Sequence, residues 1–394
     1  MRLLVLTPAP TPYRDPFWAR VARQPGVELL VCYLAPLSRD RPWQVQWERP
    51  FPYRELPGVN LLGWRGPTEV CYWNPEVRKL IRPDRCDALI LGGYNHLTLW
   101  VAMIMAGRRR IPFFMMSESH LKNPRPGWKL AAKKPFVRWI VRHATGLFPT
   151  GVFAREYFQH YGASPQRMAL IPNVPDVKTM GERIVKDLPN RDSLRGAFGL
   201  AEKKVILYAG RLIPKKGVQT LIDACSRLPR DIPWELAILG EGTYRPTLQA
   251  LAQERRCGDR VRFAGFIQPE ELPNWYLMAD LFVLPSSETW GVVALEALSS
   301  GLPTILSDQT GCWPDALPPE LHKRRVFPFG DAEALARCLR ETLPEEHDRL
   351  KAIESWADFA QRFHYEELAR QLVEFVGNHL GIRKNRTPLA CTSR

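Results

Sequence analysis

The sequence predicts an α/β chain of two domains, each built on a parallel β-sheet, and three observations carry that prediction. The chain has 394 residues, roughly two to three domains at ~150 residues each. Short apolar runs alternate with helix-length amphipathic segments in both halves, the pattern of strand–helix–strand units whose buried strands read as continuous apolar runs. Hydrophobic residues make up 45% and charged residues 24%, enough to bury real cores and too apolar for a disordered chain.

In the first half the apolar runs place strands at Arg2–Thr7, Glu28–Leu34, Asp87–Leu91, Pro112–Ser117, Gly146–Pro149 and Met168–Ile171. Helices are expected between them near Asp15–Arg23, Leu97–Gly107, Gly127–His143 and Val152–Tyr161. After Ile171-Pro172-Asn173-Val174-Pro175-Asp176 the chain turns polar and irregular. The first domain is therefore set at 1–175, a linker at 176–195 and the second domain at 196–363. In that second domain strands are expected at Lys204–Ala209, Glu235–Leu239, Val261–Ala264, Leu281–Leu284 and Thr304–Leu306. Its helices fall near Lys216–Arg227, Tyr244–Arg255, Pro269–Met278, Val292–Ser300 and Asp331–Arg340. The tail 381–394 is polar and without periodicity, and is expected to be disordered. Both domains read as Rossmann-like. Ligands of open α/β sheets sit beyond the carboxyl ends of the strands, so two such domains put a site in the central cleft between them.

Several classes fall away on composition. The longest apolar stretch, Leu97–Ala106 with Thr98 inside it, is about half the ~20 residues of a bilayer span. The N-terminal apolar run stops at Pro8 and is too short for a secretory signal. Eight cysteines stand singly with no C-x-x-C pair, which argues for reduced, structural thiols and a cytoplasmic chain. The net charge of +14 is carried wholly by residues 1–180, with 26 Lys and Arg against 12 Asp and Glu; residues 181–394 hold 29 of each. Ten basic residues lie between Arg108 and Arg142 against one acid, Glu118. Such a one-sided field suits an anionic partner.

Three pieces in the second half stand at expected strand ends. In Tyr208-Ala209-Gly210-Arg211-Leu212-Ile213-Pro214-Lys215-Lys216-Gly217 an arginine follows the strand and Lys216 comes at the start of the next helix. Together they suit a pyrophosphate, Arg gripping two oxygens and Lys adding a point charge. In Leu239-Gly240-Glu241-Gly242 two glycines allow close backbone approach. In the run from Pro285 to Glu296 a carboxylate, Glu288, precedes Gly291 and a helix whose first amides, at Gly291, Val292 and Val293, are free to meet a phosphate. Glu296 lies about one turn in, where it can accept from a ribose diol, and Glu288 can do the same for sugar hydroxyls.

Taken together these pieces resemble glycosyltransferase family 4, retaining enzymes of the GT-B fold. The matching residues are Gly210-Arg211 with Lys216, Gly240-Glu241-Gly242, Gly265-Phe266, Glu288-x7-Glu296, Gly301-Leu302-Pro303 and Ile171-Pro172-Asn173. The resemblance implies a GT-B architecture and a retaining transfer of a sugar from a nucleoside-diphosphate donor to a hydroxyl of a saccharide or lipid-linked saccharide, in bacterial polysaccharide or glycolipid biosynthesis. By it, Arg211 and Lys216 hold the donor diphosphate, Glu288 touches the donor sugar, Glu296 binds the ribose and the backbone at Phe266–Ile267 flanks the base. It also implies that the final helix, near 364–380, crosses back onto the first domain. Retention in the family is explained by front-face attack with the leaving phosphate as base, so no protein nucleophile is required. No two aspartates are spaced as Asp-x-Asp; no metal or cofactor is expected, and Arg211, Lys216 and the helix amides take over charge stabilisation.

The first half departs further from the family. The opening turn Thr7-Pro8-Ala9-Pro10-Thr11-Pro12-Tyr13-Arg14 lacks a Gly-Gly loop, leaving Tyr13 or Arg14 as substitutes. The strand ending at Ser117 runs into Glu118-Ser119-His120, where the family places a cleft histidine, so His120 is the candidate catalytic residue here. Asn95 and His96, after Gly92-Gly93-Tyr94, form a second acceptor candidate beside Glu118. Cys71-Tyr72-Trp73-Asn74-Pro75 suits either an acceptor pocket or packing. The stretch from Asn123 to Arg142 mixes bases with Trp128, Phe136 and Trp139, as segments at anionic bilayer surfaces do; a peripheral seat on the inner face of the membrane is expected, with no nucleic acid as partner. The rival readings are a nucleotide-sugar epimerase of the same architecture and a non-enzymatic binder of acidic polymer.

Overall fold

The computed structural model describes residues 1–36, 48–65, 69–122, 127–229, 231–345 and 347–381, with residues 127–132 by their backbone alone. The sequence expectations for the tail 382–394, for 123–126 and for the side chain of Trp128 lie outside the described residues.

The first domain is a six-stranded parallel sheet of β1 (Arg2–Thr7), β2 (Glu28–Tyr33), β3 (Tyr53–Glu55), β6 (Ala88–Gly92), β7 (Phe113–Ser117) and β8 (Gly146–Pro149). A small antiparallel pair, β4 (Val59–Asn60) and β5 (Tyr72–Trp73), stands beside it. The strand order is β3-β2-β1-β6-β7-β8. The second domain repeats the plan with β9 (Lys204–Ala209), β10 (Trp234–Leu239), β11 (Val261–Gly265), β12 (Leu281–Leu284), β13 (Thr304–Ser307) and β14 (Val326–Phe327), ordered β11-β10-β9-β12-β13-β14. Every pairing in both sheets is parallel. In each sheet the order in which strands are added reverses once, between β1 and β6 and between β9 and β12. A crevice opens at such a switch point beyond the strand ends.

Most strands form where the apolar runs place them, because helices cover both faces of each sheet and bury β1, β7, β10 and β12 almost end to end. Three details differ. Met168–Ile171 makes only an isolated bridge from Met168 to Leu147 and runs on beside β8 through single amide bonds. Edge strands β3 and β14 leave no apolar signature: all three residues of β3 face solvent, and β14 is only two residues long although its Phe327 is buried. The stretch 176–195 is helical rather than irregular, with helices Val177–Asp187 and Arg191–Ala197. Its first helix is capped by Asp176, whose carboxylate accepts from the Thr179 amide at 3.1 Å. Val177, Gly181 and Ile184 form its buried stripe, against helices Leu272–Met278, Val292–Ser299 and Arg349–Phe359. The second helix is pinned by Arg191 and Arg195, which reach Asp280 at 2.6 and 3.0 Å.

The last described helix, Tyr365–His379, packs on helix Asp15–Ala22 of the first domain. Phe375 nests against Phe148 and Phe114, with ring centroids 5.4 and 6.2 Å apart. Gly146 makes the room: a Cβ there would lie 2.5 Å from the Phe375 ring. At the start of that helix the Tyr365 hydroxyl lies 3.0 Å from both the Tyr13 and Val174 carbonyls. The chain's end thus ties the opening turn to the segment between the domains.

Candidate active site

At the switch point of the second domain, the turns after β9 and β12 meet. Gly217 has a φ of +67°, and a Cβ on it would lie 2.0 Å from the Pro285 carbonyl oxygen. The Ser287 amide donates to the Lys215 carbonyl at 2.9 Å. This contact brings two expected residues together: Lys216 Nζ donates to Glu288 Oε2 at 2.7 Å, and Ser286 Oγ donates to Glu288 Oε1 at 2.5 Å. Burial pushes the Glu288 carboxyl up, but Lys216, Ser286 and Lys215 outweigh it and hold the group below its ordinary value. Lys215 moves down because it is partly buried beside Lys216 and Arg211. Three cations therefore crowd one turn. Lys216 itself sits in a 3-10 turn, Pro214–Lys216, and the helix begins only at Val218.

Gly240 and Gly242 allow the close backbone approach that their spacing suggests, and what approaches is the chain itself. A Cβ at Gly240 would stand 1.9 Å from the Gly210 carbonyl oxygen, and one at Gly242 would stand 2.1 Å from that of Leu212. The close backbone approach is to the chain's own β9 turn, which it braces. Glu241 lies on the rim and pairs with Arg245. Phe266 and Ile267 are half-exposed beyond β11, whose Gly265 carbonyl accepts from the Gly240 amide at 2.7 Å.

Helix Val292–Ser299 follows the β12 loop, with Gly291 at its N-cap at φ +115°. Its first amides have no partner within the helix, and Val292 and Val293 are half-exposed there. One turn in, Glu296 Oε2 accepts from the Tyr276 hydroxyl at 2.7 Å. Burial pushes the Glu296 carboxyl above its ordinary value, and Tyr276 only partly offsets this.

In the first domain a cavity of about 630 Å³ opens at the corresponding switch point. Arg14, Asn95, Glu118 and His120 line it, with Tyr94, Lys133, Lys134, Tyr157 and His160. His120 is only 5% exposed. Arg14 Nη2 lies 3.6 Å from Glu118 Oε1. Tyr13 meets Tyr365 through its carbonyl instead. His96 is a correction to the sequence reading. Its Nδ1 accepts from the Tyr72 amide at 3.2 Å, its ring leans on Tyr72, and burial pulls its pKa down to about 4. It holds β5 in place and does not line the cavity. Asn74 resolves the Cys71–Pro75 segment as packing: it donates to the Leu34 and Leu56 carbonyls at 3.0 and 2.8 Å and is wholly buried.

The two halves touch across the cleft. Thr289 Oγ1, one residue after Glu288, donates to Glu118 Oε2 at 2.9 Å, while Asn173 Nδ2 donates to Glu118 Oε1. Trp290 Nε1 donates to the Asn173 carbonyl at 2.6 Å, and the Val152 amide to Asp315 Oδ2 at 2.9 Å. Sequence reasoning missed Tyr208, Tyr276, Thr289 and Trp290. Tyr208 and Tyr276 are tyrosines in otherwise apolar segments whose hydroxyls find a partner at the site: Tyr208 donates to the Arg211 carbonyl at 3.1 Å. Among the described residues no three His, Cys, Asp or Glu side chains gather as a metal site.

Comparison with known proteins agrees with this geometry. The sequence profile described as "Glycosyl transferase 4-like domain" matches residues 2–174, and "Glycosyl transferases group 1" matches 190–358. The chain belongs to the family 4-like glycosyltransferases, and its two facing parallel-sheet domains are the GT-B fold. The GDP-mannose-dependent alpha-(1-6)-phosphatidylinositol monomannoside mannosyltransferase of Mycolicibacterium smegmatis is 32% identical over 63% of this chain and 66% of its own length. The sulfoquinovosyl transferase SQD2 of Arabidopsis thaliana is 26% identical over 76% of this chain and 56% of its own. The matches thus span less than two thirds of these curated relatives. Among solved structures, Anabaena HepE in complex with UDP superposes with a TM-score of 0.74 at 20% identity, over 96% of this chain and 100% of that one.

Proposed function

We propose that this protein transfers a sugar, with retention of configuration and without a metal ion, from a nucleoside-diphosphate donor to an acceptor hydroxyl. The observation that carries the reading is the meeting of Arg211, Lys215, Lys216 and Glu288 beside the N-terminus of helix Val292–Ser299 at the β9/β12 switch point. A departing diphosphate needs positive charge held ready where its own charge develops. The lysines, Arg211 and the amides at Gly291–Val293 supply it. When the diphosphate arrives it competes with Glu288 for Lys216, and the freed carboxylate is placed to accept from donor-sugar hydroxyls. Glu296, oriented by Tyr276, takes the ribose diol, and the backbone at Phe266–Ile267 flanks the base. His120 and Arg14 face the transferred sugar from the opposite domain. The leaving phosphate itself takes the acceptor proton, so no protein nucleophile is invoked.

A place in bacterial polysaccharide or glycolipid synthesis at the cytoplasmic face of a membrane fits the basic first half. Support for that seat comes from Trp100 and Ile104, 44% and 47% exposed on helix Leu97–Arg108, next to Arg108, Arg109 and Arg110. No helix among the described residues is long and apolar enough to cross a membrane.

A panel of nucleotide-sugars offered with saccharide and lipid-linked acceptors tests the reaction. The expected products are free nucleoside diphosphate and an adduct whose anomeric configuration, read by NMR, matches the donor. Activity is expected to change less than twofold in EDTA; complete loss that Mg²⁺ or Mn²⁺ restores would reject the metal-free reading.

A further inference from the structure

Helix Val152–His160 of the first domain begins without a cap of its own. Its N-cap residue is Gly151, which has no side chain to accept from the first amides, and its first turn holds no acid. Ser, Thr, Asp or Asn is the usual choice at that position. The backbone does not ask for glycine there: φ is −172°, extended backbone that any residue adopts. Space does. A Cβ on Gly151 would lie 2.3 Å from the Trp290 ring and 2.6 Å from Asp315 Oδ2, and both of those residues belong to the second domain.

The missing acceptor comes from across the cleft. Asp315 Oδ2 accepts from the Val152 amide at 2.9 Å, satisfying the first amide that the helix leaves unpaired and setting a carboxylate at the positive end of its dipole. Asp315 is 8% exposed. Burial pushes its carboxyl above the ordinary value, and the Val152 amide leads the groups that pull it back, ahead of Arg362 and Arg155. Arg362 also donates to the Asp315 carbonyl, which fixes the residue from the turn just before the last helix. The short helix that carries Asp315, Trp313–Ala316, grips the same first turn a second time. The Trp313 and Phe153 rings meet edge to face with centres 5.7 Å apart, and Lys122 Nζ stands 4.2 Å from the Phe153 centre. Lys122 Nζ and Trp313 Nε1 donate to one carbonyl, that of Asp308, at 3.3 and 3.1 Å.

Further along, helix Val152–His160 supplies Tyr157 and His160 to the first-domain cavity, where the Tyr157 and Tyr94 hydroxyls are 3.1 Å apart. One helix thus serves two domains: its first turn is held by the second, and its later turns wall the cavity of the first. We propose that Asp315 is a positioning residue for the acceptor, capping helix Val152–His160 in trans so that the Tyr157–His160 wall is set only while the cleft is shut. Calling the cavity's ligand an acceptor rests on the transferase reading above; the trans cap does not. Gly151 is the counterpart, left bare so that Trp290 and Asp315 can close on it. Shutting the cleft and shaping the acceptor wall are then one event.

The test compares Asp315→Ala with Asp315→Asn in the full chain. Amide hydrogen exchange over 151–157, read without ligand, should quicken roughly tenfold in Asp315→Ala while β9 exchanges as in the parent. It should stay near the parent's rate in Asp315→Asn, whose amide oxygen still accepts from Val152. With the donor and acceptor found in the nucleotide-sugar panel, Asp315→Ala should raise KM for the acceptor roughly tenfold and leave hydrolysis of the donor by water within about twofold of the parent's. Asp315→Asn should restore most of the loss. Gly151→Ala, whose methyl group meets Trp290 and Asp315, should reproduce the acceptor defect, and the two alanine changes together should cost little more than either alone. Unchanged exchange in Asp315→Ala would overturn the trans cap. Quickened exchange with an unaltered acceptor KM, or a fall in donor hydrolysis equal to the fall in transfer, would overturn the positioning role. A parent protein that transfers no sugar sinks the transferase reading instead, and exchange then decides the cap by itself.

Discussion

The two domains share one plan and spend it differently. Each orders its strands alike and opens a site between its first and fourth strand, yet the second domain fills that site from two short loops and the first fills it from five separate stretches. Arg211, Lys215 and Lys216 come from one turn, and Ser286, Glu288 and Gly291 from another. Across the cleft, Arg14, Tyr94, Glu118, Lys133 and Tyr157 come from five segments, and Asn173, in a sixth, holds Glu118. On the proposed reading the second-domain site meets a diphosphate, the same group in every donor, for which a compact cationic turn suffices, while an acceptor matched along its length would spread its contacts over the fold.

Breaking the second-domain site should have the largest effect. Lys216→Ala removes the cation closest to Glu288 and is expected to lower kcat/KM by ~10³-fold, the loss seen when one preorganised charge-stabilising group is deleted. Steady-state kinetics with the true donor checks it. A fall of less than tenfold would mean that the turn does not carry the leaving group's charge. The same substitution leaves Glu288 buried without its main counter-charge, so its carboxyl should rise above the usual range and the pH profile should shift with it.

The same contrast decides what was legible in the sequence. Strand and helix positions, and the residues that meet at the β9 and β12 turns, could be read because apolar runs and contiguous motifs encode them. Arg211 and Lys216 lie in the loop after β9, and Glu288 and Gly291 in the loop after β12. The first-domain site was less legible. His96 and His120 look alike in sequence, each a histidine after a strand, and only the β4–β5 pair, with almost no apolar signature, turns His96 into a packing group. Lys133 reads as part of an outward basic face because nothing in a helical repeat says that Tyr94 and Tyr157 wait beneath it. The glycines at 240 and 242 were legible as close approaches, but not what they approach.

The histidine pair gives the second prediction. His96 is buried with its pKa lowered to about 4, against ~6.5 when exposed in the unfolded chain. Between those values the unfolded state binds the extra proton, so stability falls as pH drops from about 6.5 towards 4. The loss from this one group is on the order of 3 kcal/mol at the acid end. His96→Gln should flatten that stretch of the urea-unfolding pH profile and leave kcat near the parent's at pH 7.5. If it instead abolished activity while stability kept its pH dependence, the assignment of His96 to packing would be wrong.

The smallest effect is expected where the two halves meet. Thr289 Oγ1 is bonded to Glu118 across the cleft at 2.9 Å, which couples the loop carrying Glu288 to the wall of the first-domain cavity. Thr289→Val keeps the shape and removes the hydroxyl. A hydrogen bond to a charged group is worth about 1.5–3 kcal/mol, but Glu118 keeps Asn173 and Arg14, so the net cost should lie near the bottom of that range. That corresponds to roughly a tenfold loss in kcat/KM. It should appear when acceptor is limiting and nearly vanish for hydrolysis of the donor by water, because the donor turn itself is untouched. An equal loss in both reactions would place Thr289 in the donor site alone and uncouple the two regions at that hydroxyl.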